Sequence, residues 1–349
     1  MSALAIDHEC VAVSTRVRLA RNFSDYPFPS RLIGDKHAEE QSREIVQIVS
    51  GALGALDRYD LYEMNTISDE DAAYFVERNL ISRDLLRHRK IGAALIDGSR
   101  SKAVMINEED HIREQCFIKG FDLTWAYEQL SGIDDLISET IPFAYDERFG
   151  YLTACPTNLG TGLRASVMVF LPAIARHNLM PEVERILKGL GLTVRGSLGE
   201  GSGAEGEMYQ ISNEVTLGME ESEILVRVEK AVKTVYKIEM CERECMLVEN
   251  DMLIKDCAMR SYGVLANCCM IGEKEFARRM ADVKLGVALG FFESAYGEEA
   301  KRMAELDELI VETRPANLNR INGAPLSQNE QSVCRANLAR KKIQKLLSL

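Results

Sequence analysis

Residues 155–171 read Cys-Pro-Thr-Asn-Leu-Gly-Thr-Gly-Leu-Arg-Ala-Ser-Val-Met-Val-Phe-Leu and join a glycine-bearing loop to an apolar run. The apolar residues of 164–171 stand at both even and odd positions, which indicates a strand buried on both faces. The same pattern predicts a second central strand over residues 150–155. Arg164 therefore opens a buried strand, beside a flexible turn and a candidate thiolate at Cys155. We expect this arginine to hold an anionic ligand next to the sulfur.

Two further arginines lie on an extended segment near the start of the chain. Residues 10–18 are rich in β-branched side chains and predict a strand. Arg16 and Arg18 would point to one face of that strand, about 7 Å apart, which is near the spacing of neighbouring phosphates. On spacing alone, a pair of solvated surface arginines remains the alternative interpretation.

A polar turn interrupts the strands of residues 91–119. Strands are predicted over 91–97, 102–106 and 112–118, and the turn 107–111 reads Asn-Glu-Glu-Asp-His. The turn collects three acids and a histidine beside Arg113. It is either a solvated loop or, if Glu108, Glu109 or Asp110 points inward, the source of a carboxylate base or a cation clamp.

Helices are predicted where apolar residues recur at helical spacing. They are expected over 36–56, 72–86, 125–137, 181–190 and 222–246, and a short strand is expected over 192–197. The rest of the chain is expected to be helical, over 253–266, 273–289, 298–312 and 327–349. The predicted fold class is therefore α+β: a mainly antiparallel sheet flanked by helices in residues 1–250, then a small all-helical domain in residues 251–349.

The glycine-rich segment 199–206 does not fit either common nucleotide-binding loop. A dinucleotide fingerprint must lead into a helix, whereas residues 208–212 and 214–217 predict strands. The chain also has no Gly-Lys-Ser/Thr sequence, which the Walker phosphate loop requires. The segment is interpreted as a mobile lid that carries Glu200 and Glu205, with a flexible hairpin as the alternative.

The composition limits the classes of partner and compartment. The chain has 349 residues, a formal charge of −12 and nine cysteines. This charge argues against nonspecific binding to nucleic acid or to an anionic membrane, and it favours a basic partner. The longest apolar run, 167–175, is too short to span a membrane. With no visible export signal, the cysteines indicate reduced thiols in the cytoplasm, and Cys241 and Cys245 are interpreted as thiols rather than metal ligands.

Five arginines stand at predicted strand ends or beside loops: Arg16, Arg18, Arg113, Arg164 and Arg195. A nucleoside triphosphate carries about four negative charges, and a protein without a phosphate loop must neutralise them with metal ions and guanidinium groups. Phosphoryl transfer asks mainly for positioning and charge stabilisation. One carboxylate on the turn 107–111 and one on the segment 199–206 are then left to orient a guanidinium acceptor and take its proton.

Four segments, 14–22, 107–113, 155–167 and 195–200, resemble in sequence and in order the motifs of the guanidino (phosphagen) kinases, such as arginine and creatine kinases. The resemblance covers about residues 14–220 and implies an ATP-dependent kinase whose Mg²⁺ is carried by ATP, with no metal site of the protein. It implies Glu109 and Glu200 as the catalytic acids, with Glu109 as the base, and Cys155 as a thiolate beside the guanidinium.

The resemblance also implies a set of nucleotide-binding residues from these motifs. They are Ser14, Thr15, Arg16, Val17, Arg18, Arg113, Arg164, Ala165, Ser166, Val167, Met168, Arg195, Gly196, Ser197, Leu198 and Gly199.

Two features make the whole chain similar to the bacterial protein-arginine kinase branch of this family. The first motif begins at Ser14, without the amino-terminal helical domain of the small-molecule kinases, and residues 256–263 and 282–286 match the branch. The resemblance implies phosphorylation of arginine side chains in basic proteins, including a heat-shock repressor, in stress regulation and marking for Clp proteolysis. It further implies a zinc-finger activator protein, a Clp ATPase partner and a homodimer, with the helical domain in dimerisation and substrate docking.

The chain departs from the branch at two places. Gln331 and Ser332 stand where the branch usually has Arg-Asp, ahead of Arg335, so the resemblance does not carry a phosphoarginine-sensing pocket over to this chain. Asn79 replaces a family histidine that contributes to nucleotide binding. Two alternatives to a protein-arginine kinase stay open: a kinase of free arginine or another small guanidino compound, and a non-catalytic adaptor that binds a repressor or a protease.

Overall fold

The structure is a computed structural model that describes residues 10–32, 36–54, 59–196, 205–292 and 299–347. Its ten strands in these ranges are β1 (Ala12–Arg21), β2 (Tyr59–Glu63), β3 (Ala93–Asp97), β4 (Lys102–Ile106), β5 (Ile112–Lys119), β6 (Tyr145–Asp146), β7 (Gly150–Tyr151), β8 (Leu163–Phe170), β9 (Leu192–Gly196) and β10 (Met208–Asn213). The helices of the same ranges are α1 (Lys36–Leu53), α2 (Asp69–Glu77), α3 (Leu123–Thr140), α4 (Pro172–Arg176), α5 (Met180–Gly189), α6 (Glu221–Asn267), α7 (Glu273–Ala288), α8 (Glu299–Glu312), α9 (Pro315–Asn322) and α10 (Gln328–Leu346).

Eight of the strands form one antiparallel sheet in the order β2-β3-β4-β5-β1-β8-β10-β9. Side chains alternate between the two faces of a strand, so each face has its own chemistry. One face carries residues such as Val17, Leu19 and Val167, which are buried together with apolar residues of α1, α3 and the first half of α6. The predicted α+β class, with an antiparallel sheet flanked by helices, is confirmed.

The other face of the sheet is covered at both ends and carries polar residues in the middle. Over β3 and β4, Tyr74 and Phe75 of α2 pack on Ala94 and Met105. At the far end of β8, Phe170 packs into a second apolar cluster formed mainly by α6, α7, α8 and α10. Between these covered ends lie the strand positions that bear the predicted arginines.

The long helix α6 runs through the predicted domain boundary. It has 47 residues, and Asn250 interrupts its helical geometry with φ −149° and ψ 36°. The boundary near residue 250 stays a prediction. Among the described residues, no helix combines the length and the apolar character that crossing a membrane requires.

The helical region also reaches back to the first part of the chain through α9 and α2. The Glu77 carboxylate accepts hydrogen bonds from the backbone N–H groups of Ala316 (2.9 Å) and Asn317 (3.0 Å) at the start of α9. The Arg314 guanidinium donates to the Glu77 carbonyl oxygen at 2.7 Å. Because the first N–H groups of a helix lack partners within it, Glu77 acts as a helix cap supplied by a distant part of the chain.

Several predicted elements differ from the observed ones. Residues 150–155 are not a central strand: only Gly150–Tyr151 pair, with Tyr145–Asp146, in a separate two-stranded sheet. Residues 152–155 follow β7 without strand pairing, and Ala154 donates its N–H to the Asp110 side chain. Residues 214–217 are likewise not a strand.

The predicted helix over 72–86 ends early, and four elements were not predicted. Its helical part stops at Glu77, because Asn79 has a φ of 57°, a left-handed conformation that ends a helix. The elements that the sequence did not predict are β2, β6, α4 and α9. In α9 the start signal was present, since Pro315 occupies its first turn, where proline is favoured.

Candidate active site

Strand register places four of the predicted arginines on adjacent strands of one sheet face. Arg18 on β1 lies opposite Arg164 on β8, and Arg16 shares its face because it is two residues away. Arg113 on β5 lies opposite Ala20, which has the same parity as Arg18. Arg195 on β9 lies opposite Gln210, whose other partner is Met168 of β8, so the fifth arginine also belongs to this face.

The arginines form a concentrated positive field. Burial, and to a smaller extent the charges of Arg113 and Arg164, together lower the pKa of Arg16 to about 10. Burial also holds the pKa of Arg18 well below its usual range, with Arg16, Arg113 and Arg164 adding to the effect. The pKa of Arg164 is lowered by burial and then by Arg195 and Arg113. Each charge opposes the others, so an anion in their midst would be bound strongly.

Two of these guanidinium groups have hydrogen-bonding capacity to spare. The Nε atoms of Arg18 and Arg164 are buried and have no hydrogen-bond partner among the residues that the structure describes. Arg16 donates to the Gln210 side-chain oxygen at 3.2 Å, and Arg164 donates to the Ser212 hydroxyl at 3.3 Å. Buried polar groups in proteins are almost always paired, so the unused donors indicate an anionic ligand.

Arg113 has a carboxylate partner in Glu108. Its guanidinium donates to both carboxylate oxygens of Glu108, at 2.8 and 2.9 Å. Burial alone would raise the pKa of Glu108, but Arg113 and the hydroxyl of Ser82 lower it below its usual value. Glu108 therefore stays ionised and fixes Arg113 in place.

Glu109 is the exposed acid of the turn 107–111. Partial burial raises the pKa of its carboxyl, and the neighbouring charges of Asp110 and Glu108 raise it further. A carboxylate with a raised pKa is a stronger base and is suited to accept a proton. Of the three acids in this turn, Glu109 is the one whose side chain the structure leaves open to a substrate.

Cys155 lies half-buried at the start of the loop that leads to Arg164. Its sulfur is 3.0 Å from the Thr157 hydroxyl, and its negative form would raise the pKa of Arg164. The loop is held from the other side by the hydroxyl of Thr216, which lies 2.7 Å from the Leu159 carbonyl oxygen and 3.0 Å from that of Thr157.

The close approach of this loop to its neighbours requires glycine. Gly160 has a φ of 112°, and a Cβ there would stand 2.4 Å from the Thr216 carbonyl oxygen. A side chain at Gly162 would stand 2.5 Å from the Ala20 carbonyl oxygen. Because glycine has no side chain, the loop that joins the Cys155 segment to β8 can lie directly against the backbone of Thr216 and Ala20.

The remaining predicted residues divide into four groups. Ser14, Ser166 and Met168 share the arginine face, whereas the side chains of Thr15, Val17, Ala165 and Val167 lie on the helix-covered face. Gly196 ends β9 opposite Tyr209. The residues Ser197, Leu198, Gly199 and Glu200, and with them most of the predicted lid, lie outside the described residues.

Four polar residues of the site were not singled out from the sequence. Gln210 and Ser212 contact Arg16 and Arg164; they alternate along a predicted strand, which was the available signal. Ser82 contacts Glu108, and Asn22 contacts Asp110. These last two contacts join residues far apart in the chain, and no local pattern indicates them.

The described residues contain no group of three or more His, Cys, Asp or Glu side chains that could hold a metal ion. The arrangement instead consists of cationic donors on a rigid sheet, facing an exposed carboxylate and a thiol. It is suited to hold a polyphosphate and to act on a cationic acceptor.

Residues 41–242 match the family model of the ATP:guanido phosphotransferase C-terminal catalytic domain. A lombricine kinase structure is 26% identical, with a TM-score of 0.58 over 66% of this chain and 67% of that chain. The duplicated taurocyamine kinase from Schistosoma mansoni shares the fold, with a TM-score of 0.61 and 23% identity over 84% of this chain and 49% of that chain. Fold and site thus define a catalytic domain of the guanidino phosphotransferase class.

Residues 251–348 match a second family model, the protein-arginine kinase McsB C-terminal domain. The protein-arginine kinase of Caldanaerobacter subterraneus is 39% identical over 331 residues, which cover 93% of this chain and 95% of that relative. Those of Shouchella clausii and Geobacillus stearothermophilus are each 38% identical, over 95% of this chain and 91% and 90% of their own lengths. The chain belongs to the protein-arginine kinase family.

Proposed function

We propose that this protein transfers the γ-phosphoryl group of ATP to the guanidinium group of arginine side chains in other proteins. The observation that carries the proposal is the arginine face, where the buried Nε atoms of Arg18 and Arg164 have no partner among the described residues. A triphosphate supplies the negative charge and the acceptor oxygens that these groups lack.

The phosphate clamp consists of Arg16, Arg18, Arg113, Arg164 and Arg195. These side chains project from strands β5, β1, β8 and β9 of one sheet, so we expect their positions to be set before the nucleotide arrives. Such preorganised donors stabilise charge that spreads over the phosphoryl oxygens during transfer. Mg²⁺ is expected to arrive with the nucleotide and to neutralise part of its phosphate charge.

We assign to Glu109 the role of the base that accepts a proton from the acceptor guanidinium. An arginine guanidinium is cationic and becomes a nucleophile only when a nitrogen gives up a proton. The Glu109 carboxylate accepts that proton, the nitrogen attacks the γ-phosphorus, the bond from this phosphorus to the β–γ bridging oxygen breaks, and ADP leaves. Glu200 is the second acid that orients the guanidinium, and Cys155 as a thiolate places negative charge beside it.

The acceptor and the partners belong to the proposal as well. The formal charge of −12 favours basic protein substrates, a heat-shock repressor among them. The relatives named protein-arginine kinase support a protein acceptor rather than free arginine. We also assign the protein to the cytoplasm, to stress regulation and Clp proteolysis with a zinc-finger activator, and to a homodimer formed through its helical region.

The test is mass spectrometry of a basic protein after incubation with Mg·ATP. We expect added phosphate on arginine side chains that is lost in acid, and far less of it with the Glu109→Gln variant. Free arginine is offered in a parallel reaction. Transfer to free arginine alone would replace the proposal with a small-molecule guanidino kinase, and no ATP turnover at all would favour an adaptor.

A further inference from the structure

A buried pair, Asp110 and Asn22, ties the turn that carries Glu109 to the segment that carries Cys155. Asp110 is 3% exposed and Asn22 is 1% exposed. One carboxylate oxygen of Asp110 accepts two hydrogen bonds, from the Asn22 side-chain amide and from the backbone N–H of Ala154, both at 2.6 Å. Ala154 directly precedes Cys155, so Asp110 holds the backbone from which the thiol projects.

Asn22 strengthens the same junction from both sides. Its side-chain amide also donates to the Leu152 carbonyl oxygen at 3.0 Å, and its side-chain oxygen accepts the backbone N–H of His111 at 2.9 Å. Asn22 directly follows Arg21, the last residue of β1, so the end of this strand fixes its backbone. The turn and the thiol segment are both fastened to this single amide.

Two other members of the turn, Asn107 and Glu108, are held by residues outside the thiol segment. Asn107 donates its side-chain amide to the carbonyl oxygens of Ser42 and Ile91, at 3.1 and 3.0 Å. Glu108 holds Arg113. Glu109 stands between anchored neighbours, and its place relative to Cys155 depends on the link through Asp110.

We propose that Asp110 and Asn22 are positioning residues that set the distance between the Glu109 carboxylate and the Cys155 thiol. This rests on the proposed function, in which these two groups flank the acceptor guanidinium. Both groups must contact one planar cation, and a misplacement on the order of 1 Å lowers the rate about 100-fold. The hydrogen bonds of Asp110 and Asn22 lead to the turn and to residues 152–154 rather than to an arginine of the phosphate clamp, so we expect their effect on the acceptor side of the reaction.

The test compares Asp110→Ala with Asp110→Asn. Alanine removes the oxygen that accepts both hydrogen bonds, whereas asparagine retains an oxygen there. We expect Asp110→Ala to lower kcat about 100-fold with KM for ATP changed less than about twofold, and Asp110→Asn to restore most of the rate. Asn22→Ala combined with Asp110→Ala should cost little more than the worse single change, since the two residues share one network.

A second readout does not depend on kinase activity. The rate at which iodoacetamide alkylates the Cys155 peptide, followed by mass spectrometry, should rise at least about threefold in Asp110→Ala, because the thiol segment is released. Alkylation of the exposed Cys241 should not change. The matched control is Glu77→Ala, which also removes a carboxylate that accepts backbone N–H groups, but at α9; it should leave the Cys155 rate unchanged.

The outcomes distinguish a failure of the positioning role from a failure of the proposed function. An unchanged Cys155 alkylation rate in Asp110→Ala, or a rise in KM for ATP equal to the fall in kcat, overturns the positioning role. Absence of phosphoryl transfer by the wild-type protein overturns the proposed function, and the alkylation comparison still decides whether Asp110 holds the thiol segment.

Discussion

Glu108 and Glu109 are adjacent in the chain, yet their carboxylates have opposite surroundings. Glu108 is 1% exposed and is bound by Arg113, whereas Glu109 is exposed. The turn begins at Asn107, whose left-handed φ of 58° reverses the chain direction. One acid therefore serves the structure of the arginine face, and the other is available to a substrate.

Because of this difference, we expect Glu→Gln to lower the reaction rate at position 109 and the stability at position 108. Glu109→Gln should lower kcat by about 10²–10⁴-fold and leave thermal unfolding nearly unchanged, because it removes only the base. Glu108→Gln should lower the free energy of unfolding by about 1–3 kcal/mol, since Arg113 loses its ionic partner. Steady-state kinetics and urea unfolding of both variants check this, and a fully active Glu109→Gln protein would contradict it.

The raised pKa of Glu109 predicts an acidic limb in the rate profile. The base must be ionised to act, so kcat should fall as the pH drops through the pKa of Glu109, above the value of about 4.3 for a free glutamate. The measurement is kcat against pH at saturating Mg·ATP. In Glu109→Asp the limb should persist at a lower rate, and a profile that is flat down to the pH of unfolding would speak against this role.

Arg18 should strengthen nucleotide binding but lower the stability of the nucleotide-free protein. Its charge is buried among like charges, so Arg18→Met should raise the free energy of unfolding without nucleotide by about 1 kcal/mol. A bound nucleotide at 100 times its Kd stabilises a protein by about 2.7 kcal/mol, and the variant should lose most of that gain. Urea unfolding with and without ATP tests both halves, and a less stable free variant would count against the prediction.

His111 should make the fold sensitive to acid. Burial lowers the pKa of His111 to about 4, compared with about 6.5 in an unfolded chain. Between these values the unfolded state binds more protons, so the free energy of unfolding should fall by about 2 kcal/mol from pH 7 to pH 5 through this residue alone. In His111→Gln that part of the pH dependence should be absent, and equal slopes in the two proteins would refute the assignment.

The cap on α9 should hold the helical region against α2. The Glu77 carboxylate accepts three hydrogen bonds from α9, including the Asn317 side-chain amide at 2.9 Å. Glu77→Ala should speed hydrogen exchange in residues 315–322 and lower stability by about 1–2 kcal/mol, the usual cost of a lost cap. Residues 163–170 of the central strand serve as the internal reference. Unchanged hydrogen exchange in α9 would contradict this prediction and show that other contacts hold α9 against α2.

The sequence predicted most of the arginine face because the alternation of side chains along a strand depends only on neighbouring residues. The spacing of Arg16 and Arg18, and the apolar run after Arg164, are set by the pleat itself. The pattern failed at residues 150–155, where the backbone of Ala154 is paired with a side chain from the turn 107–111. Whether Glu109 faces a substrate depends on Asn22 and Arg113, which contact its neighbours from other strands. Contacts of this kind leave no periodic trace in the sequence.

The link between α2 and α9 has a consequence for the order in which the protein is made. Glu77 leaves the ribosome long before its partners at residues 316 and 317. The strands of the arginine face are therefore synthesised while Glu77 still lacks the helix α9 that it caps. A nascent chain halted after the catalytic sheet therefore exposes Glu77 and the neighbouring Arg78, whose partner Asn317 is also still to come. The junction between α2 and α9 is complete only once residues 316 and 317 have been synthesised.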